Sequence, residues 1–246
     1  MFDREEVTEK FMECMSKEFI LKNVRLTLEN LEAYKPKSSY VPTDDRFTGN
    51  MKGVAVVPYL PIMEDSDGRA TAVVTYDMLD NYEISVKDMF EAAYRNMDKE
   101  PVRIRALTDV IMSMTLEGIV GDGEARCFKP EELKRGVGEL YYVTNSSAYK
   151  GAMCLFSKDT YKRIGEAIGE YYAIPSSIHE FLIVSSDGIE PGFIADMVKS
   201  VNASGIVAEH DILSDEVYKF DADSGNMVTV KLNAEKDAAQ EADLER

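Results

Sequence analysis

The sequence predicts an α+β protein in which two loosely related strand-hairpin-plus-helix units stand behind a helical N-terminal arm. Three observations lead there. Apolar residues recur every fourth position near the N-terminus and again after Ser85, as one face of a helix requires. Runs rich in β-branched and aromatic residues flank acidic glycine-containing turns near residues 54–76 and 217–230. The segments RATAVVTYDML and KGAMCLFSKDTY echo one another, each an apolar run entering a polar helix start.

Taken in order, Asp3 and Glu6 have capping-box spacing, and Val7, Phe11, Met15 and Phe19 form a helical stripe. Leu21, Val24, Leu28 and Leu31 continue it, although Val24, Leu26 and Leu28 also alternate as a strand would. From Pro36 to Gly53 proline, serine, aspartate and glycine make a loop, so residues 1–50 read as an arm before a body over 51–232, with subunits of about 51–123 and 124–232. Val54–Met63 and Ala70–Tyr76 predict a hairpin turning through Glu64–Gly68. Pro58 and Pro61, which lack a ladder donor, place its first strand as short, bulged or at an edge. Ser85 and Asp88 cap a helix with Met89, Phe90, Ala93 and Met97 on one face, expected to cover that hairpin. Val102–Ala106 leads to a second helical stripe that breaks at Gly121-Asp122-Gly123.

In the second unit, strands are predicted over Leu140–Thr144 and Ala152–Phe156, then a helix started by Ser157 and ended by Gly169. Tyr171–Ile174 and Phe181–Ser185 read as strands around a Pro175-Ser176-Ser177 turn. Pro191 opens a helix with Ile194, Met197, Val198 and Val201, and Ser204-Gly205 stops it. A hairpin over Val217–Phe220 and Met227–Val230 closes the body. The tail from Asn233, charged and alanine-rich, reads as frayed or flexible.

Composition narrows the function classes. With 246 residues and 45% hydrophobic content the chain can bury a sizeable core. A formal net charge of -17 opposes direct nucleic-acid binding, which relies on Lys and Arg displacing counterions, and opposes anionic membranes. The same charge suits first a solvated, aggregation-resistant surface, and as a sharper reading an acidic face for a partner with a basic surface, or an acidic nucleic-acid mimic. Cys14, Cys127 and Cys154 are too few and too scattered for a disulfide framework or zinc site, and the expected setting is the reducing bacterial cytoplasm.

Ser176, Ser177, His179 and Glu180 hold the residue types of a nucleophile–base cluster, because acyl transfer needs a hydroxyl, an imidazole and an orienting carboxylate. Strand alternation would put Ser177 and His179 on one face and Glu180 on the other, and no G-x-S-x-G elbow exists. A turn with local backbone bonding explains the same residues. Cys154 is a second nucleophile candidate for His179, set in an apolar run where cysteine usually acts as a small hydrophobe. His179 and His210 lack zinc spacing. The Asp221–Asn226 and Glu64–Gly68 segments fail as calcium loops, so neither metal nor cofactor is expected. The seven tyrosines from Tyr141 to Tyr218 suit sheet packing or a protein interface.

Tyr142-Val143-Thr144-Asn145, Gly151-Ala152, Ile174–Glu180 and Leu213–Tyr218 resemble a bacterial family catalogued as domain of unknown function 5688. A looser likeness covers Gly53–Tyr59 and Ala70–Val74, so the resemblance spans roughly residues 50–230. It implies a bacterial chain found near mobile elements, with a shortened N-terminal region and with Ser157-Lys158 where relatives have Pro-Gly. It implies no activity and no catalytic residue. Asn145, Ser176, Asp215 and Tyr218 enter as binding candidates beside the catalytic candidates Ser177, His179, Glu180 and Cys154. The leading expectation is a non-enzymatic cytoplasmic interaction or accessory protein; the alternative is a hydrolase or transferase using Ser177 or Cys154 with His179.

Overall fold

The computed structural model describes residues 4–34, 51–65, 68–116, 126–136 and 138–232. Asp3, residues 35–50 of the expected loop, Ser66-Asp67, Gly121-Asp122-Gly123 and the tail from Asn233 lie outside them. Within them the fold is α+β, with seven α-helices and two antiparallel sheets.

Helices α1 (Arg4–Cys14) and α2 (Lys17–Asn23) divide the predicted N-terminal stripe, because the Ser16 hydroxyl accepts from Phe19 N–H and starts a new helix. Val7, Phe11, Met15 and Phe19 still pack against the core. After Val24 the alternating pattern wins over the helical one. Residues Arg25–Asn30 form β1, antiparallel to β2 (Val54–Asp65), which pairs in turn with β3 (Gly68–Val73). The first hairpin strand is therefore neither short nor at an edge: it is the centre of a three-stranded sheet. Pro58 is tolerated there because its carbonyl accepts from Val74 N–H (3.0 Å), so its missing N–H points to the side where β3 has just ended. The bulge appears as expected, between Pro61 and Met63.

Thr75 caps α3 (Tyr76–Asn81) and Ser85 caps α4 (Val86–Met97), accepting from Asp88 N–H while its hydroxyl donates to the Asp88 carboxylate. Met89, Phe90, Ala93 and Met97 are buried as the spacing predicts, but α4 lies against α2 and β1 rather than over the hairpin. β4 (Val102–Ala106) runs into α5 (Leu107–Leu116) and belongs to the second sheet.

That sheet has the order β4, β5 (Tyr141–Asn145), β7 (Glu180–Ser185), β6 (Tyr171–Ser177), β8 (Tyr218–Asp221) and β9 (Asn226–Thr229), all antiparallel. Side chains alternate between two cores, as a pleated strand dictates. Tyr141, Val143, Tyr171, Ala173, Phe181, Ile183 and Tyr218 join the large core shared with the first sheet. Tyr172, Ile174 and Val184 point the other way, onto Ile194, Ala195 and Val198 of α7 (Pro191–Ala203). Asp221 Oδ1 accepts from Asp223 and Ser224 N–H in the final hairpin, so that acidic run is turn chemistry.

Two further expectations are corrected. Ala152–Phe156 is not a strand. Residues Ala152–Asp159 form a kinked 3-10 segment buried between β1 and strands β4, β5 and β7, with Ala152 to Ser157 all inaccessible. A short apolar run has no periodicity to separate a buried strand from a buried helix, and here the echo of the first unit is one of composition. Ser157 accordingly does not cap α6 (Thr160–Ile168); its hydroxyl is buried near Met97 O (3.3 Å) and Asp98 Oδ1 (3.2 Å), and Asp159 precedes the helix. The second correction concerns Pro175-Ser176-Ser177, which lie within β6 around a bulge, while Ile178-His179 make the turn.

Gly165 in α6 meets the Phe220 ring directly: an added Cβ would collide with it and lie 2.7 Å from Cζ. Glycine-to-alanine exchange in a helix normally stabilises by about 1 kcal/mol. Here Gly165→Ala is expected to destabilise by about 1–3 kcal/mol through overpacking, read as a lower urea midpoint.

Candidate functional site

Three of the catalytic candidates, Ser177, His179 and Glu180, sit together at the β6–β7 turn, and Cys154 lies apart in the buried 3-10 segment. Ser177 Oγ donates to Glu180 Oε1 (2.8 Å) and accepts from His179 N–H (2.9 Å). It is therefore bonded to the histidine backbone, not to the imidazole. His179 Nδ1 accepts from Lys150 N–H (2.9 Å), which places the ring proton on Nε2, 3.4 Å from Asp211 Oδ1. Nδ1 is thus hydrogen-bonded, Nε2 lies beside the Asp211 carboxylate, and neither nitrogen bonds Ser177. Glu180 Oε2 accepts from Tyr142 Oη at 3.5 Å; burial first, and this carboxylate second, push the Tyr142 phenol up to about 12. Cys154 lies in the buried 3-10 segment, where loss of hydration pushes its thiol far above the ordinary range, so the thiolate nucleophile is suppressed.

The turn is gripped by the loop from Asn145 to Gly151. Thr144 Oγ1 donates to His179 O (2.8 Å), and Ala152 N–H donates to Ile178 O (3.2 Å). Buried Asn145 organises the loop: its Nδ2 donates to Tyr149 O (3.0 Å), and its Oδ1 accepts from Ser147 Oγ and Tyr149 N–H. Ala148 and Lys150 sit at φ 50° and 49°, a left-handed conformation that costs a non-glycine residue roughly 1–2 kcal/mol. The bonds from Asn145 and His179 hold both in place. Gly151 has no alternative, because a Cβ would collide with Thr144 Oγ1 and lie 2.7 Å from His179 O and 2.8 Å from Asn145 N.

The same loop reaches the first sheet. Lys150 Nζ is 2.5 Å from Glu29 Oε1 on β1 and 5.5 Å from the centre of the Tyr59 ring on β2. Arg69 of β3 lies over Tyr149 (4.8 Å) and donates to Ser147 O (3.3 Å), while the Tyr149 ring packs against His179. Arg25 Nη1 of β1 pairs with Glu100 Oε1 (2.7 Å). Burial, opposed by Arg25, pushes the Tyr59 phenol upward. Arg25, Glu29, Tyr59, Arg69, Glu100, Tyr149 and Lys150 escape a reading by motif, because their partners lie in distant segments. Only Gly151 carried a signal, as half of Gly151-Ala152.

The remaining binding candidates separate. Ser176 sits in β6 at the bulge. Asp215 accepts from Asn202 Nδ2 (2.8 Å). Tyr218 is fully buried; its Oη donates to Lys52 O (2.6 Å) and lies 2.9 Å from Ser214 Oγ, and burial pushes its phenol upward. Lys52 N–H donates to Thr229 Oγ1 (2.7 Å), so this second cluster also ties β2 to the second sheet. Asn145, Ser177, His179 and Glu180 share one site; Asp215 belongs to the other.

Chemically, the first cluster is a polar joint. Arg25, Arg69 and Lys150 are each matched by a carboxylate, Glu100, Glu64 and Glu29, so the cations of the joint are neutralised within it. The Lys150–Glu29 pair is 14% and 21% exposed, so water screens it little. In a double-mutant cycle with Lys150→Met and Glu29→Gln, a coupling of about 1–2 kcal/mol is expected in urea unfolding. The exposed Lys87–Glu91 pair should give below about 0.5 kcal/mol. Raised phenols set an alkaline limit as well. Unfolded tyrosine ionises near pH 10 and the buried Tyr59 and Tyr218 only above it, so their contribution is full below pH 10 and lost as pH rises. Each should lower stability by about 1.4 kcal/mol per pH unit above that point, with phenolate absorbance appearing together with unfolding.

No curated protein and no solved structure matches the chain. A family model does, over residues 46–222, a span that contains the β6–β7 turn with its Asn145–Gly151 loop, the buried 3-10 segment and the Tyr218–Lys52 bond, while Arg25 and Glu29 of the joint precede it. The chain belongs to the family of unknown function DUF5688.

Proposed function

We propose that the chain is a non-enzymatic interaction protein of the bacterial cytoplasm, acting on a partner with a basic surface. The observation that carries this reading is the internal commitment of every candidate reactive atom. Ser177 Oγ is held by Glu180 and a backbone N–H, and the His179 nitrogens face Lys150 N–H and Asp211. The Cys154 thiol is buried. A general base must reach the proton it removes, and a nucleophile must reach its substrate. In this arrangement the groups brace two sheets instead. The charge of -17 supports the choice of partner, since complementary potentials speed encounter and select against like-charged surfaces. The buried Cys154 thiol, outside any disulfide, fits a reducing compartment.

The test is a screen of parent and His179→Ala against ester, amide, phosphoester and glycoside substrates, with urea unfolding of both. No turnover is expected from either, while His179→Ala should lose about 1–3 kcal/mol of stability by leaving Lys150 N–H unpaired. Saturable turnover in the parent, abolished by a variant of unchanged stability, would establish the enzyme reading instead.

A further inference from the structure

We infer that the outer face of α7 is the docking surface for a basic amphipathic helix of a partner protein. Ile194, Ala195 and Val198 face the sheet and account for burial of this helix. Phe193, Met197 and Val201, spaced i, i+4 and i+8, form a second apolar row, of which Met197 packs partly against the core while Phe193 and Val201 stay at the surface. Phe193 is 68% exposed, Met197 is half-buried and Val201 is on the surface; Ile206, just beyond the helix end, is 80% exposed. Large apolar side chains clustered in this way mark interaction surfaces, whereas single ones need no explanation. A ridge at four-residue spacing over nine residues of the helix, about 12 Å, is the shape into which the groove of another helix packs.

The charges around the ridge identify the occupant. From Asp187 to Glu216 the chain carries seven carboxylates against one lysine, Lys199, and no arginine. Glu190 and Asp196 are exposed on and beside the helix, and Glu209 is exposed after it. Asp187 is already paired with Arg135, Asp215 bonds Asn202 and Asp211 lies between His179 and His210; Glu190, Asp196, Glu209 and Glu216 have charge to offer. A second copy of this chain would bring like charges together across the contact, and an anionic membrane would be repelled. A helix with an apolar stripe and Lys or Arg along its flanks satisfies both the ridge and its rim, which is the helix-in-groove mode of recognition.

This inference rests on the reading of the chain as an interaction protein, and the experiment separates the two. The probe is a synthetic leucine–lysine peptide with its apolar residues at i, i+3, i+4 and i+7, followed by fluorescence anisotropy against the full chain. Saturable binding is expected, weakened roughly tenfold or more by Phe193→Asp. That substitution adds a charge that attracts the peptide while removing the apolar anchor, so the loss can only report the ridge. Asp196→Lys should weaken binding as well, and raised salt should act in the same direction. A leucine–glutamate peptide of the same pattern should not bind. Binding unchanged by Phe193→Asp, equal binding of a scrambled peptide, or no binding would overturn this surface while leaving the non-enzymatic reading intact. Concentration-dependent self-association abolished by Phe193→Asp would overturn it in favour of a second copy. Turnover of a small substrate bears on the other reading alone.

Discussion

The structure depends on one close approach. At Gly151 the backbone passes between the end of β5 and the β6–β7 turn with no space for a side chain. That passage allows Ala152 N–H to reach Ile178 O, and Thr144 reaches the neighbouring His179 O. The chain then enters the space between the sheets, where Ala152 to Phe156 fill the core that the first sheet alone could not close. A 3-10 path suits this position because it bonds its own N–H groups, as in Cys154 N–H to Gly151 O, where no strand edge is on offer.

The Ser–His–Glu run acquires its meaning from the same constraint. A sharp turn beside a buried segment leaves backbone groups that must be satisfied, and Ser177, His179 and Asn145 are side chains able to do so. Imidazole is suited to the task because one nitrogen accepts while the other donates. Here it accepts from Lys150 N–H on one side and sets its other nitrogen beside the Asp211 carboxylate, with the ring packed against Tyr149. Lys150 carries the link onward to Glu29, so two left-handed residues and one glycine position a cation between the sheets.

Legibility in the sequence followed the range of the interactions involved. The α4 helix was readable because its cap, Ser85 with Asp88, and its buried stripe are both local. The outer hairpins and α7 were readable for the same reason, from turn residues and from Pro191 at a helix start. β1 was readable only as an alternative, since Val24, Leu26 and Leu28 satisfy two periodicities and pairing with β2 decides between them. Ala152–Phe156 was misread because uniform apolarity records burial without recording shape. Pro175 was misread as a turn because the β6 bulge lets a proline remain in a strand. The joint was half legible. Ser177, His179 and Glu180 stood out as residue types, but Glu29, Tyr59 and Arg69 gain their roles only when distant segments meet.

That last feature bears on how the molecule reaches its native state. The ties between the sheets join residues far apart in the chain: Lys150 to Glu29 across 121 positions, Tyr218 to Lys52 across 166, and Thr229 to Lys52 across 177. Hairpins such as β2–β3 and β8–β9 close short loops and can form early, whereas each of these ties waits for a large loss of chain entropy. The polar joint is thus a late event, completed after more than half of the chain has emerged: Arg25 of β1 can meet Glu100 earlier, but Glu29 has no partner until Lys150 is made. An antiparallel sheet with its outer face still bare is a surface prone to mispairing during that interval. The acidic character of the chain, whatever it does for recognition, keeps such half-built molecules apart.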